Sequence, residues 1–311
     1  MFEKVLVPTD FSPYAGKVLE CVSEIPGVKE VKILHVVTRP ALTRFWDPLS
    51  EVKQAEKKLE EEKKHVPPGI AVKTHAVSIL EGDVAAAIQK VAADYGASLV
   101  VMGARGRSLI ESVLLGSVSR NVLRFGEQHL LIMRFKKVGG AKGLEFPGAK
   151  GTKGLRDEQA PAERMEKFCP NIFSKVLVPT DFSPPEEAAI SFIKGIPGIG
   201  EVHLLHVVSR GETQEELDAA VKDAEAKLAA ISQEIGRAGI KVTAGAVVGN
   251  PVEQICSKGD ELDVSLIAMS SVGMDTMHSG RIGSRTYDVA NKASRPVLVI
   301  RMKPIFAVPA L

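Results

Sequence analysis

The sequence predicts the α/β fold class, with two tandem domains that are each built on a five-stranded, doubly wound parallel sheet. The block Lys-Val-Leu-Val-Pro-Thr-Asp-Phe-Ser-Pro occurs at residues 4–13 and again at 175–184. At the same offset, Ile-Leu-His-Val-Val at 33–37 is echoed by Leu-Leu-His-Val-Val at 204–208. In each half, short apolar segments alternate with amphipathic ones, a pattern typical of parallel strands covered by helices.

Each repeat begins with a short apolar run that suits a strand buried on both faces. After the first strand, Ser12 can cap a helix and Pro13 suits its first turn. Asp83 and Asn250 are likewise expected to begin helices, because both precede helical patterns. The other strands are expected at 31–37, 70–77, 99–102 and 129–134, and in the second half at 204–208, 241–248, 265–269 and 296–301.

An amphipathic helix is expected between the second and third strands of each half. In the first half it is highly charged and spans about residues 49–64. In the second half its apolar residues recur at helical spacing along one stripe. These residues are Leu217, Val221, Ala224, Leu228, Ile231 and Ile235.

The repeat sets the expected domains at residues 1–135 and 171–311, each long enough to bury a core of its own. Between them, residues 136–170 carry eight basic and five acidic side chains, several glycines and few apolar residues. We interpret this segment as a flexible, basic linker. A solvated tether is favoured over a partner-binding arm.

Composition excludes several classes of function. The net charge of +2 gives no electrostatic case for nucleic acid. No apolar run approaches the roughly 18 residues of a membrane-spanning helix, so no membrane partner is expected. The first four residues run directly into a strand, so no signal peptide is expected.

Three cysteines, Cys21, Cys169 and Cys256, lie far apart and are odd in number. This usage fits a reducing cytoplasm, and neither a disulfide framework nor a metal site is expected. His35 and His206 occupy matched positions in the two repeats, and we interpret both as structural histidines.

The loop after the fourth strand of the first half has the chemistry of an anion site. It contains Gly103, Arg105 and Gly106, followed after nine residues by Gly116 and Ser117. Glycine permits a positive φ and close approach of a ligand to the backbone. A helix beginning at Gly116-Ser117 would offer free N–H groups to an anion.

This pattern resembles the Gly-x-x-Gly, nine residues, Gly-Ser/Thr motif with which the universal stress protein family binds ATP. The opening Val-Pro-Thr-Asp-Phe-Ser, the Leu-His-Val of the second strand and the closing Pro-Val-Leu-Val-Ile also resemble that family. The resemblance implies a Rossmann-like fold of the adenine nucleotide alpha hydrolase-like superfamily. It covers nearly everything except the linker.

By this resemblance, the ligand is ATP or AMP, and Mg²⁺ is left open as its counterion. Asp10 is suited to accept hydrogen bonds from a base or sugar, although a turn or helix-cap role is the alternative. The implied nucleotide-binding residues of the first domain are Pro8, Thr9, Asp10, Val36, Met102, Gly103, Arg105, Gly106, Gly116, Ser117, Val118 and Ser119.

The second domain departs from the motif, because Ser270 stands where the first has Gly103. If that position needs a left-handed backbone, serine costs ~1–2 kcal/mol. Asp275 adds an unfavourable charge nearby, and we therefore expect weaker binding in this half. Its implied residues are Pro179, Thr180, Asp181, Val207, Met269, Gly273, Gly283, Ser284, Arg285 and Thr286.

The leading hypothesis is a cytoplasmic, nucleotide-dependent stress-response sensor or binding module. One alternative is an interaction scaffold that has lost nucleotide binding, and another is a slow ATP hydrolase. No catalytic residue is identified, so the chain is not expected to be an enzyme beyond slow ATP hydrolysis. The resemblance also implies that the two halves pair through their fifth strands as an intrachain pseudo-dimer. It leaves a homodimer open, and the protein partner stays unnamed.

Overall fold

The computed structural model describes most of the two repeats. The described residues are 1–39, 46–80, 83–104, 114–138, 164–167, 171–209, 211, 213–273 and 282–302.

The first half alternates strands and helices as predicted. In chain order it contains β1 Lys4–Pro8, α1 Pro13–Glu20, β2 Glu30–Thr38, α2 Pro48–Glu62, β3 Ala71–Ile79, α3 Val84–Tyr95, β4 Leu99–Gly103, α4 Ser117–Phe125 and β5 His129–Met133. Short 3₁₀ turns at Val22–Glu24 and Lys63–His65 follow α1 and α2.

Two short strands, β6 Lys136–Val138 and β7 Arg164–Glu166, lie between the halves and pair antiparallel with each other. The composition of this segment predicted no regular structure, so the pairing at its two ends is a difference from expectation. Lys167, just after β7, forms an ion pair with Glu24 of the first half. Residues 139–163 of the predicted linker lie outside the described residues, and the domain boundaries remain a prediction.

The second half repeats the order of the first. It contains β8 Lys175–Pro179, α5 Pro184–Lys194, β9 Glu201–Val208, α6 Gln214–Arg237, β10 Lys241–Val248, α7 Pro251–Glu261, β11 Leu266–Ser270, α8 Ser284–Lys292 and β12 Val297–Ile300. Among the helices of the described ranges, none is long and apolar enough to cross a membrane.

The helix starts expected from the sequence are confirmed by their capping bonds. The Ser12 hydroxyl accepts a hydrogen bond from the Ala15 N–H at 3.2 Å, with Pro13 in the first turn. The Asp83 carboxylate caps α3 at 2.9 Å. The Asn250 side chain caps α7 at 3.0 Å. Each cap satisfies backbone donors that a helix leaves free at its start.

Both halves have the same sheet order, in which the first strand lies between the second and fourth. The order is β3-β2-β1-β4-β5 in one half and β10-β9-β8-β11-β12 in the other, and all pairs within a half are parallel. The chain therefore has the predicted doubly wound α/β fold. The winding reverses between β1 and β4, and between β8 and β11, where a crevice opens at the carboxyl ends of the strands.

The two sheets join into one ten-stranded sheet because β5 and β12 pair antiparallel. Across this seam, Arg134 donates a hydrogen bond to the Ala290 carbonyl near the end of α8, at 2.9 Å. Arg301 reciprocates by donating to the Leu123 carbonyl near the end of α4. Cationic donors suit the carbonyl end of a helix. Each half thus holds a helix of the other.

Apolar side chains cover both faces of the joined sheet. One face carries a cluster around Phe2 and Phe173, and the other carries a cluster around Leu6 and Leu177. All four side chains are fully buried. The central strands are apolar on both sides, as parallel strands with helices on two faces require.

Candidate functional site

The loop after β1 is held by its own side chains. The Phe11 N–H donates to the Thr9 hydroxyl at 3.0 Å, and the Ser12 N–H donates to Asp10 Oδ1 at 3.1 Å. One carboxylate oxygen of Asp10 therefore stabilises the turn, which is the alternative role that the sequence left open. Both roles are compatible, since a carboxylate has two oxygens that accept several bonds.

Phe11 has a left-handed backbone, with φ 61°, and Phe182 repeats this in the second half with φ 60°. A bulky residue in this region costs ~1–2 kcal/mol. The Phe11 ring packs on His35, with ring centroids 4.3 Å apart, and His35 Nδ1 lies 2.8 Å from the Thr9 carbonyl. His206 makes the matched contacts, so each histidine holds the loop that follows the first strand of its half. Strain at matched positions beside a crevice is typical of functional loops.

The loop after β4 is anchored by backbone bonds. Gly103 ends β4 and stays paired with Met133, so its backbone is extended. Ser270 ends β11 in the same way, opposite Ile300. The condition under which serine would be costly here, a left-handed backbone, is therefore not met, and Ser270 carries no such cost. Glycine and serine differ at this position in bulk rather than in backbone freedom.

The start of α4 has no side-chain cap. Its N-cap is Gly116. The N–H groups of the first turn have no partner within the helix, and the helix dipole adds partial positive charge. Ser117 is exposed at this end, whereas the Ser119 hydroxyl donates to the Gly103 carbonyl at 2.9 Å. Ser119 thus holds α4 against the end of β4.

A residue of the second half supports this helix start. The Leu115 N–H donates to Asn291 Oδ1 at 3.1 Å, while Arg120 donates to the Leu115 carbonyl at 2.9 Å. The next N–H, of Gly116, donates to the Ala104 carbonyl at 2.9 Å. The backbone just before α4 is therefore fixed on both sides, and one of these bonds comes from the second half.

These elements enclose a cleft of about 600 Å³ in the first half. Ligand pockets commonly have volumes of about 300–1,000 Å³. Ten of the twelve predicted residues line it, and Arg105 and Gly106 lie outside the described residues. The ten are Pro8, Thr9, Asp10, Val36, Met102, Gly103, Gly116, Ser117, Val118 and Ser119.

Sequence reasoning missed two walls of this cleft. Val84 and Ile88 of α3 supply apolar surface, and Gln54 and Lys58 of α2 supply polar groups. The start of α3 could have been anticipated, because a helix that follows a parallel strand begins at the carboxyl edge of the sheet. The α2 contacts depend on how the helix lies across the sheet, which the apolar pattern does not specify.

The crevice of the second half is lined by all ten of its predicted residues, yet its volume is only about 80 Å³. The ten are Pro179, Thr180, Asp181, Val207, Met269, Gly273, Gly283, Ser284, Arg285 and Thr286. Here Arg285 Nη1 lies 3.6 Å from Asp181 Oδ2, where the first half has Val118 and Asp10. A Cβ on Gly273 would lie 3.0 Å from the same oxygen. The Asp181 carboxylate is thus closely surrounded by protein atoms.

Glu186 also lines the second crevice, and the sequence analysis missed it. It stands where the first half has Ala15, and it is 6% exposed. Its Oε2 accepts a hydrogen bond from the Ser270 N–H at 3.4 Å. Burial, with a smaller contribution from the Asp181 carboxylate, raises the pKa of Glu186 to about 8.

Comparison with known proteins assigns both halves to one family. The model of the Universal stress protein family matches residues 1–134 and 173–301. The chain belongs to the universal stress protein family. As a tandem universal stress protein, it carries the family domain twice, and the two crevices occupy corresponding places in the two copies.

Universal stress proteins from several organisms are similar to this chain. Universal stress protein MJ0577 of Methanocaldococcus jannaschii is 31% identical over 157 residues, covering 42% of this chain and 97% of the relative. Universal stress protein YxiE of Bacillus subtilis is 32% identical over 149 residues, covering 43% and 100%. Both therefore correspond to about one half of this tandem universal stress protein.

A solved structure matches the whole tandem arrangement. It is the crystal structure of a universal stress protein from Archaeoglobus fulgidus, with a TM-score of 0.66 and 26% identity. The match covers 96% of each chain. The two-domain layout of this universal stress protein therefore has a counterpart in a solved structure.

Proposed function

We propose that this protein is a nucleotide-dependent stress-response module that binds ATP or AMP, mainly in the crevice of its first half. The observation that carries the proposal is the uncapped start of α4, which opens into a cleft of about 600 Å³. That cleft lies at the switch point of the sheet, where α/β proteins bind their ligands. Membership of the universal stress protein family supports the same ligand class.

The proposed roles follow from the chemistry of the lining. The first-turn N–H groups of α4 and the Ser117 hydroxyl would bind phosphate oxygens, each charge-assisted bond contributing ~1.5–3 kcal/mol. The second oxygen of Asp10 and the backbone of Val36 would bind the sugar and base. Val84 and Ile88 supply the apolar surface on which a base packs. Mg²⁺ would accompany a triphosphate as its counterion, bound through phosphate oxygens and water.

We extend the proposal to assembly and location. Residues 1–135 and 171–311 act as two domains that form a pseudo-dimer within one chain, with β5 paired to β12 at its centre. A homodimer would need a further surface, because this edge is already paired. We place the protein in the cytoplasm, since Cys21 and Cys256, the two described cysteines, are free thiols.

A second candidate function is an interaction scaffold, which the nearly filled crevice of the second half favours. In this version, the chain has lost nucleotide binding and serves only as a partner surface. The proposal assigns a catalytic role to no residue, so ATP turnover should stay far below ~1 per second, the low end of ordinary enzyme rates.

The proposal is tested by identifying what the purified full chain carries. The protein would be denatured, and the released small molecules separated by anion-exchange chromatography against AMP, ADP and ATP standards. The protein stripped of ligand would then be heated with ATP and Mg²⁺. We expect a co-purified adenine nucleotide and a raised melting temperature. No bound nucleotide together with no thermal shift would instead support a pure scaffold.

A further inference from the structure

The two crevices differ far more than their frameworks do. Strand order and the starts of the flanking helices correspond, yet the volumes are about 600 Å³ and about 80 Å³. Part of the difference is extent, because the first crevice reaches Gln54 and Lys58 of α2, whereas no residue of α6 is among the described residues that line the second. Side chains at matched positions of the two crevices also differ. Three matched positions change from small or apolar to larger or charged: Ala15 to Glu186, Gly103 to Ser270, and Val118 to Arg285.

Among the three larger side chains of the second half, Glu186 is the largest one that is buried. It is the third residue of α5, directly beside the switch point. Its carboxyl group reaches the end of β11 and accepts from the Ser270 N–H. In the first half the matched backbone, at Gly103, borders open cleft. The carboxyl of Glu186 thus lies where a ligand in the first half would approach the end of the fourth strand.

The side chain of Glu186 is directed away from its own helix. Ser183-Pro-Pro-Glu186 has the spacing of a capping box, in which the glutamate would bond to the helix start. Instead, the Ser183 hydroxyl is fully buried and has no hydrogen-bond partner among the residues that the structure describes. An unsatisfied buried hydroxyl costs ~1–3 kcal/mol. The Ser183 N–H donates to Asp181 Oδ1 at 3.0 Å, so the helix start leaves no such bond for the carboxyl of Glu186, which turns into the crevice.

The surroundings of Glu186 suit a carboxyl that stays there. Asp181 lies on the same crevice, and its charge favours the neutral form of Glu186. Arg285 pairs with Asp181 and completes the wall. A neutral carboxyl can remain buried with one hydrogen bond, whereas an anion would need a cation. Nothing in this arrangement requires an outside ligand.

We infer that Glu186 is an internal plug that excludes adenine nucleotide from the second crevice, so that the tandem chain offers one nucleotide site. The inference rests on the proposed function of the first crevice and adds which residue decides occupancy. Ala15 is the matching determinant that keeps the first crevice open. In this inference, the matched position of Ala15 and Glu186 has the largest effect on whether a crevice is open.

The test replaces Glu186 in the full chain and counts bound ATP, with Mg²⁺, by isothermal titration calorimetry. Glu186→Ala should raise the stoichiometry from one to two ATP per chain. Glu186→Gln keeps the bulk of the side chain without a titratable proton, and it should leave one. An unchanged count in Glu186→Ala, or a second site in Glu186→Gln, would overturn exclusion by bulk.

The reciprocal change keeps the test decisive if Glu186→Ala fails to fold. Ala15→Glu should close the first crevice and weaken ATP binding on the order of tenfold or more, whereas Ala15→Ser should bind nearly as the parent does. Unaltered affinity in Ala15→Glu would contradict the inference. A parent chain that binds no ATP would refute the proposed function instead, and a site gained in Glu186→Ala would then still support the plug.

Discussion

The crevices at the two switch points lie on sheets with the same strand order, but one is open and the other is nearly filled. In the first half, Ala15 and Gly103 leave a cleft that the uncapped start of α4 faces. In the second, Glu186 and Ser270 fill the matched space with a carboxyl–amide contact. The position of each crevice depends on the strand order of the sheet, whereas its volume depends on a few side chains. Two copies of one domain can therefore carry crevices of different size.

The seam between the halves shows the opposite tendency. Arg134 and Arg301 each donate a hydrogen bond to a carbonyl near the end of a helix in the other half. This contact is therefore the same in both halves. One contact breaks the symmetry: Asn291 supports Leu115 of the first half. At the matched position of the other half, Arg124 lies over the Tyr287 ring at 4.7 Å. The half with the open crevice is the one that receives this support.

The largest expected effect comes from placing a negative charge at the open site. Ser117→Glu puts a carboxylate at the start of α4, where it competes with phosphate for the same N–H groups. We expect ATP affinity to fall about 100-fold, equivalent to ~2.7 kcal/mol. Titration calorimetry of the full chain measures it. Acidic residues are favourable at a helix start, so folding should be unaffected.

The matched control is Ser284→Glu, which makes the same change in the closed crevice. Its ATP affinity should equal that of the parent, because no nucleotide reaches α8. If both variants lost ATP affinity equally, the two crevices would contribute equally to ATP binding. That result would contradict a difference between them.

A smaller effect is expected from the contact across the seam. Asn291→Leu leaves the Leu115 N–H without its acceptor and should loosen the peptide ahead of α4. We expect about a tenfold loss of ATP affinity, the size of one hydrogen bond near 1.4 kcal/mol. Asn291→Asp retains an acceptor and should restore most of the affinity.

Arg124→Leu is the control for damage to the seam as a whole, since Arg124 occupies the matched position. It should lower the melting temperature about as much as Asn291→Leu does, but it should leave ATP affinity nearly unchanged. If both variants lose affinity equally, Asn291 acts only through the stability of the seam.

The smallest effect concerns the closed crevice and pH. The folded-state pKa of Glu186, about 8, lies above its ordinary value of 4.5. Between these values the folded state retains a proton that the unfolded state releases, so stability falls as pH rises. Glu186→Gln removes this dependence. It should melt like the parent near pH 4.5 and a few degrees higher at pH 8, by scanning calorimetry. A constant difference across that range would exclude titration of Glu186.

Much of the fold could be predicted because local signals and the repeat agree. Ser12, Asp83 and Asn250 cap helices where their sequence context indicated, and the repeat predicted that the two halves share one fold. The edge of the sheet that carries the crevice followed from a general rule, since the carboxyl ends of parallel strands share one edge. The individual lining residues came from the family resemblance.

What could not be predicted depends on the packing of distant elements. The sequence left open whether Gly103 needs a left-handed backbone, and the ladder to Met133 shows that it is extended. Glu186 stands in a capping-box sequence and turns instead to β11, 84 residues away. The support from Asn291 depends on how α4 and α8 meet across the seam. Sequence spacing carries no information about such approaches.

The count of ATP molecules bound per wild-type chain tests the central claim most directly. Native mass spectrometry of the full chain, titrated with ATP and Mg²⁺ to saturation, resolves chains carrying none, one or two. The account predicts that a single ATP saturates the chain. A population that fills with two would contradict a closed second crevice, and chains that stay empty would contradict an open first one.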